Sequence, residues 1–322
     1  MSTKSTTNSK PTPTLRAQLR EAFKEDFYEN IPLADFVSSR IGGVAEYVII
    51  AKTSDDLITA ARFAVQHNME YRVLGGGSAT LVSEVGYPGL VIINRTEGIG
   101  FSQGSSLVIA ASGVGTQRLV SVAASRSLGG AEFLSAVPGS IGGAVVTNAG
   151  FGRFFVSAHV KDVTAFVTDG QADKVVTIPA AEMGFRPYRS LLMRSSKFPP
   201  ILLTIRLQLA QLTQDEIMRR LRVYAARYHD QSGPDGKIGG CFIPPLEEQT
   251  VLHRLLRKIR LPGAVLHPEK GLIVSSNPKT PANYRQILDM VKQLAEEQGV
   301  TLEDRLSYLG YWPAMEGEDA TR

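Results

Sequence analysis

Cysteine is nearly absent: the 322 residues hold one, Cys241, which excludes an internal disulfide framework and any metal site built from several thiolates. Charge of one sign is not in excess either. Thirty-five Lys and Arg against 31 Asp and Glu leave a formal +4, with no basic stripe of the kind that tracks nucleic acid. That balance suits a small anionic ligand. Long apolar runs are missing, none approaching the ~18 consecutive apolar residues of a membrane span, so no membrane association is expected. The histidines His67, His159, His229, His253 and His267 form no H-x-x-x-H and keep no ligand spacing to the cysteine, so no metal site is expected. Residues 1–14 are rich in Ser, Thr, Lys and Pro without an apolar stretch, and read as a disordered tail, not a secretory leader. The expected location is cytoplasmic.

Hydrophobic residues make up 43% and charged residues 20%, as in a globular protein, and at ~100–200 residues per domain the length suggests two domains or one large one. Leu19, Ala22, Phe23 and Phe27 recur at helical spacing and predict a leading helix from Leu15 to Asn30, stopped by Pro32. Strands are expected at Tyr47–Ala51, Tyr71–Leu74, Leu90–Ile93, Leu107–Ala111, Val160–Thr168, Lys174–Ile178 and Ile201–Leu209, with Asp169-Gly170 as a hairpin turn. Helices are expected from Ser54, as N-cap, to about Asn68, and over Gly115–Ser127, Glu216–Tyr228, Val251–Ile259 and Tyr284–Gln298. A boundary falls near residue 210. The order describes an α+β protein with mixed sheets.

Thirty glycines matter because they cluster. Leu74-Gly75-Gly76-Gly77-Ser78-Ala79-Thr80 and Val137-Pro138-Gly139-Ser140-Ile141-Gly142-Gly143 adjoin apolar strands. Consecutive glycines let a backbone approach a ligand closely, and successive N–H groups then converge on phosphate oxygens, with Ser78, Thr80 and Ser140 as hydroxyl donors. Neither stretch carries the complete G-x-G-x-x-G pattern or the Lys of a P-loop. Two such loops in one chain point to a large diphosphate-containing ligand. Gly100-Phe101-Ser102-Gln103-Gly104 matches G-x-S-x-G literally, but a strand follows it where a nucleophile elbow needs a helix, which excludes the hydrolase reading. Cys241, between Gly240 and Phe242, is either a reactive thiol or a small buried hydrophobe. Arg186-Pro187-Tyr188-Arg189-Ser190 offers an arginine able to bind an anion or polarise a carbonyl.

Arg40-Ile41-Gly42-Gly43-Val44-Ala45, Leu74–Ser78, Gly98-Ile99, Gly113-Val114-Gly115, Gly130–Leu134, Pro138–Ala144 and Asn148-Ala149-Gly150 follow in an order and spacing that resemble the MurB family, the FAD-dependent UDP-N-acetylenolpyruvoylglucosamine reductases. The likeness spans residues 35–210. It continues more loosely through Arg254-Leu255-Leu256, Leu261–Ala264, Ile273-Val274, Leu302-Glu303 and Leu309-Gly310. The resemblance implies an FAD-binding fold of the vanillyl-alcohol-oxidase type, two α+β subdomains over 15–210, then a substrate domain over 211–312 and a tail over 313–322. It implies non-covalent FAD, in keeping with loops that hold no histidine. The pyrophosphate would lie on Gly75, Gly76, Gly77, Ser78, Ala79 and Thr80. Arg40, Ile41, Gly42 and Asn148 would join in, and Pro138, Gly139, Ser140, Ile141, Gly142 and Gly143 would run along the isoalloxazine and diphosphate. NADPH is the implied hydride donor and an anionic UDP-sugar the substrate.

The departures from the family pattern fall on the catalytic half. The polarising Arg of a Tyr-Arg-x-Ser pattern corresponds to Arg189, with Tyr188 a substrate contact, yet Ser190 follows directly. The proton-donor position falls on Gly240 without a gap, or on Cys241 with a one-residue deletion, which keeps an acid there. Where the family carries a catalytic Glu, Leu302-Glu303-Asp304-Arg305-Leu306 places Arg305, a charge reversal that reads as a substrate contact, with Asp304 and Glu303 as alternative stand-ins for the carboxylate. Ala79 replaces an Asn, and Glu269–Leu272 stands where the family has His-Ala-Asn-Phe. Alongside the nominal reductase two alternatives stand: a flavoenzyme acting on another substrate in specialised metabolism, and an FAD-binding protein with a regulatory role and no turnover.

Overall fold

The computed structural model describes residues 14–168, 170–194, 196–231, 242–243, 264–267, 272–275, 281–297, 299, 301 and 303–312. Val44–Ala51, Tyr87–Asn94 and Tyr71–Leu74 run parallel in one sheet, in that order, with Phe27–Pro32 antiparallel at the edge. The central strand is buried over Leu90–Asn94, as a parallel strand covered on both faces must be, hence its unbroken Leu-Val-Ile-Ile. The helix Ser54–Gln66 covers the sheet through Leu57, Ala60, Ala61 and Ala64. Its N-cap is Thr53, one residue before the expected Ser54. The Thr53 hydroxyl accepts from the Asp56 N–H, and Asp56 answers on the Thr53 N–H, a complete capping box. The leading helix is also corrected. It covers only Leu15–Phe23, after which a 3-10 turn over Lys24–Asp26 leads into the edge strand Phe27–Pro32.

The second sheet is antiparallel, in the order Asp173–Pro179, Val160–Thr168, Ile201–Gln208, Leu107–Ala111, Ile99–Phe101. The helices Thr116–Ala124 and Ile141–Val146 supply Leu119, Val120, Ile141 and Val145 to its core. Each such side chain stabilises the fold by roughly 1.5–3 kcal/mol. Thr168 pairs with Asp173, so the hairpin connection is the longer 169–172, not a two-residue turn. The segment 102–106 joins two strands of this sheet, Ile99–Phe101 and Leu107–Ala111, and no helix follows Ser102.

The two sheets share a core, because Phe166, Ile201 and Leu203 of the second pack with Leu90, Ile92 and Tyr71 of the first. Immediately beyond residue 209 the chain continues on the second sheet's side. Ala210–Gln211 pairs with Leu128–Gly129, and the helix Gln214–Gln231 packs on residues 132–136. Later, Phe242–Ile243 pairs with Glu303–Asp304, Ala264–His267 with Leu272–Ser275, and the helix Pro281–Glu296 precedes a final strand, Ser307–Leu309. The helix expected at 251–259 lies outside the described residues. Among the described residues no helix is long and apolar enough to cross a membrane.

Candidate active site

The strand Tyr71–Leu74 empties into Gly75-Gly76-Gly77, and this loop meets the second glycine loop directly. A Cβ on Gly76 would sit 2.6 Å from the Gly139 Cα, one on Gly139 (φ +118°) 2.7 Å from the Ser78 Oγ, and one on Gly75 against the Ser140 hydroxyl. Gly77 adopts φ +63°, where a side chain is strained, and its Cβ direction is blocked by the Phe36 carbonyl. Hydrogen bonds lock the contact. The Ser78 hydroxyl donates to the Pro138 carbonyl at 2.8 Å, the Ser38 N–H to the Gly77 carbonyl at 3.0 Å, and Arg95 to the Gly75 carbonyl at 2.9 Å. Ser140 caps the helix Ile141–Val146 by accepting from the Gly143 N–H at 3.3 Å. Segment 36–43 is the third wall. Arg40 stands at φ +56° with its N–H on the Val37 carbonyl, Ser39 donates to the Ile41 carbonyl, and Gly42 lies against Val82. The expected cofactor residues at 40–42, 75–80 and 138–143 are therefore one interlocked cradle.

The cradle fits a diphosphate-bearing group. Among the described residues, no protein acceptor takes the N–H groups of Gly76, Gly77, Ser78 and Ala79, four successive donors around a left-handed glycine. Such a run forms an anion-binding nest. Ser78 is not the free hydroxyl donor expected, since its proton lies on Pro138.

A buried polar network ties the cradle's two sheets together and was not foreseen. Asn94 donates to the Ser112 hydroxyl at 2.7 Å and accepts from the Thr96 N–H and hydroxyl, whose oxygen in turn accepts from the Gly113 N–H at 2.9 Å. The Gly142 N–H reaches the Ser112 carbonyl at 2.8 Å. Gly113 was the sequence trace of this junction: a Cβ there would meet Asn94 at 2.6 Å.

The arginine segment is a tight turn. The N–H of Arg189 donates to the Arg186 carbonyl at 3.0 Å and that of Arg186 to the Arg189 carbonyl at 2.9 Å, with Pro187 and Tyr188 (φ +57°) between. Asn148, buried at φ +42°, is turned toward this element. Its amide donates to the Arg186 carbonyl at 2.7 Å and accepts from the Ser157 N–H at 3.1 Å. Its side chain positions the turn and in that way serves the site. Ser190 is buried and donates to the Val146 carbonyl at 2.5 Å, pinning the turn to the helix that begins at the second glycine loop. Phe155 sets its edge on the Tyr188 ring, centroids 5.1 Å apart.

The chain's far end closes the arrangement. Ser307–Leu309 runs parallel to Thr80–Val82, with the Ser307 N–H on the Ala79 carbonyl and the Ser83 N–H on the Leu309 carbonyl, both at 2.8 Å. Two residues earlier, the Arg305 guanidinium carbon lies 3.4 Å from the centroid of the Tyr188 ring, a stacked cation–π contact. Arg305 thus rests on Tyr188, the sequence neighbour of Arg189, two residues before the strand that pairs with Thr80–Val82. Gly240 and Cys241 lie outside the described residues; Phe242, the next in sequence, pairs with Asp304.

A family profile described as "FAD binding domain" matches residues 45–175. The UDP-N-acetylenolpyruvoylglucosamine reductase of Lachnoclostridium phytofermentans is 28% identical over 291 residues, 87% of this chain and 92% of that one. That of Prochlorococcus marinus is 27% identical over 297 residues, 88% of this chain and 98% of its own. The crystal structure of MurB from Thermus caldophilus superimposes with a TM-score of 0.66 at 25% identity, over 87% of this chain and 97% of that one. The chain belongs to the MurB family. Its fold is accordingly the vanillyl-alcohol-oxidase-type FAD-binding fold, its cofactor FAD, and its class an FAD-dependent oxidoreductase. Phe155, Asn94 and the Ala79–Ser307 contact are the parts of this candidate site that the sequence alone does not reveal.

Proposed function

We propose that the chain reduces UDP-N-acetylglucosamine enolpyruvate to UDP-N-acetylmuramate, with NADPH as hydride donor, in peptidoglycan precursor synthesis in the cytoplasm. The supporting observation is that the arginine turn 186–189 is tied, through Ser190 on the Val146 carbonyl, to the C-terminal end of the helix Ile141–Val146, whose N-terminus is the second glycine loop. Segments 40–42, 75–80 and 138–143 would hold FAD, the nest at 76–79 taking its diphosphate. Bound FAD supplies hydride transfer from the nicotinamide to the substrate's carbon–carbon double bond.

The chain's own residues do the rest. The Arg189 guanidinium binds the substrate carboxylate and stabilises negative charge that develops on it as the double bond is reduced. Asn148 and Ser190 hold the turn that carries it. A protein acid must deliver a proton to the carbon that does not receive hydride, and Cys241, which precedes Phe242 in sequence, has the chemistry for it. The small net positive charge suits an anionic UDP-sugar.

An anaerobic flavin experiment tests the reading. The bound flavin is reduced with NADPH, UDP-N-acetylglucosamine enolpyruvate is added, and flavin absorbance is followed. Rapid reoxidation is expected. A flavin that stays reduced rejects this substrate.

A further inference from the structure

We infer that Arg305 is the specificity-determining residue of this site, gripping the carboxylate of the ligand's enolpyruvyl group together with Arg189. The inference rests on the reductase reading and names what its substrate half recognises. Three observations carry it. First, Arg305 is held in place from both sides in sequence, by the pairing of Asp304 with Phe242 and by the Ser307 N–H on the Ala79 carbonyl, and so stands beside the first glycine loop. Second, its guanidinium is stacked on Tyr188, the immediate neighbour of Arg189, in a turn fixed by two backbone hydrogen bonds. Third, the Tyr188 ring is itself buttressed by Phe155, so the guanidinium rests on an ordered platform.

Stacking engages the flat face of a guanidinium, whereas a carboxylate is bound along its edge, so the two are compatible in one residue. An arginine keeps its proton at every physiological pH, so Arg305 can bind an anion and cannot serve as acid or base. Tyr188 is thus a positioning residue. Its backbone sits in the left-handed region at φ +57°, rare for an aromatic residue, and this fixes the side from which the ring faces Arg305.

Calorimetric titration of the flavin-loaded protein with two ligands tests the assignment: UDP-N-acetylglucosamine enolpyruvate, which carries the carboxylate, and UDP-N-acetylglucosamine, which lacks it. The wild type is expected to prefer the first. In Arg305→Met that preference should shrink by roughly 10–100-fold, the range for losing a charge-assisted bidentate contact, while affinity for UDP-N-acetylglucosamine stays within about twofold. Arg305→Lys, which keeps the charge but not the planar fork, should fall between. Tyr188→Phe, which keeps the ring under the guanidinium, should retain more of the preference than Tyr188→Leu, which should move toward Arg305→Met. Should Arg305→Met fail to fold, the lysine and leucine variants carry the same comparison. An unchanged preference in Arg305→Met and Tyr188→Leu, or equal weakening toward both ligands, overturns the assignment and leaves the reductase reading standing. A wild type that binds neither ligand, or binds both alike, removes the reductase reading and the assignment with it.

Discussion

The flavin cradle and the arginine turn lie side by side but are made in opposite ways. In the cradle the working groups are backbone N–H donors, and the side chains that matter are those missing at Gly75, Gly76, Gly77 and Gly139. In the turn the working groups we propose are side chains, Tyr188 and Arg189, joined by Arg305, which stacks on Tyr188 from the far end of the chain. A backbone site is fixed by packing: any added atom collides with a neighbouring loop. A side-chain site can change its chemistry with little effect on its frame. An arginine therefore stands where the family pattern has a catalytic carboxylate, while the glycine loops keep their form with one departure, Ala79.

Substitutions on each side sharpen this contrast. The largest effect is expected from Gly77→Val, which combines a left-handed backbone with a blocked Cβ direction. It should cost more than about 3 kcal/mol, and the purified protein should lack flavin absorbance. Gly77→Val protein that is yellow and as heat-stable as wild type would contradict the backbone account. Arg189→Ala should lower kcat/KM by roughly 100–1000-fold with unchanged flavin content, as for loss of one donor to a developing charge. A parallel loss of flavin would show that the two regions are not separable.

Asn148→Ala should destabilise by about 1–3 kcal/mol for each buried group left unpaired, and also lower kcat/KM through a loosened turn, which thermal melts and steady-state rates would read together. The smallest effect is expected from Tyr87→Phe in the sheet beneath the cradle. The Tyr87 hydroxyl is buried and, among the described residues, has no hydrogen-bond partner, so its removal should change neutral-pH stability by no more than about 1 kcal/mol. Burial pushes the Tyr71 and Tyr87 phenols well above their usual 10. The folded state thus favours the protonated phenols, a contribution complete below about pH 10 and lost as pH rises beyond it. Melting temperature should fall above about pH 10, less steeply in Tyr87→Phe. Identical alkaline slopes in the two proteins would show that Tyr87 does not titrate on unfolding.

The same contrast explains what the sequence made legible. Glycine blocks are visible because close backbone approach admits almost nothing else, so the runs at 75–80 and 138–143 mark the cradle in the sequence itself. The long strands were legible from their β-branched runs. The leading helix was overextended because Leu19 and Phe23 do keep helical spacing, whereas Phe27 belongs to a strand whose partner, Val44–Ala51, lies beyond the reach of local periodicity. Arg305 carried the charge reversal in sequence, but no spacing places it on Tyr188. That contact exists only because Ser307–Leu309 returns to Thr80–Val82.

That returning strand also bears on how the protein is made. Among the described residues, Thr80–Val82 has no strand partner other than Ser307–Leu309. During synthesis the rim of the cradle therefore waits for almost the whole chain to leave the ribosome, a contact of very long sequence separation and correspondingly slow to form. Until then a short strand edge stands open next to the first glycine loop. A chain ended early would leave that edge open, and cellular quality control could recognise it before any enzymatic defect became apparent.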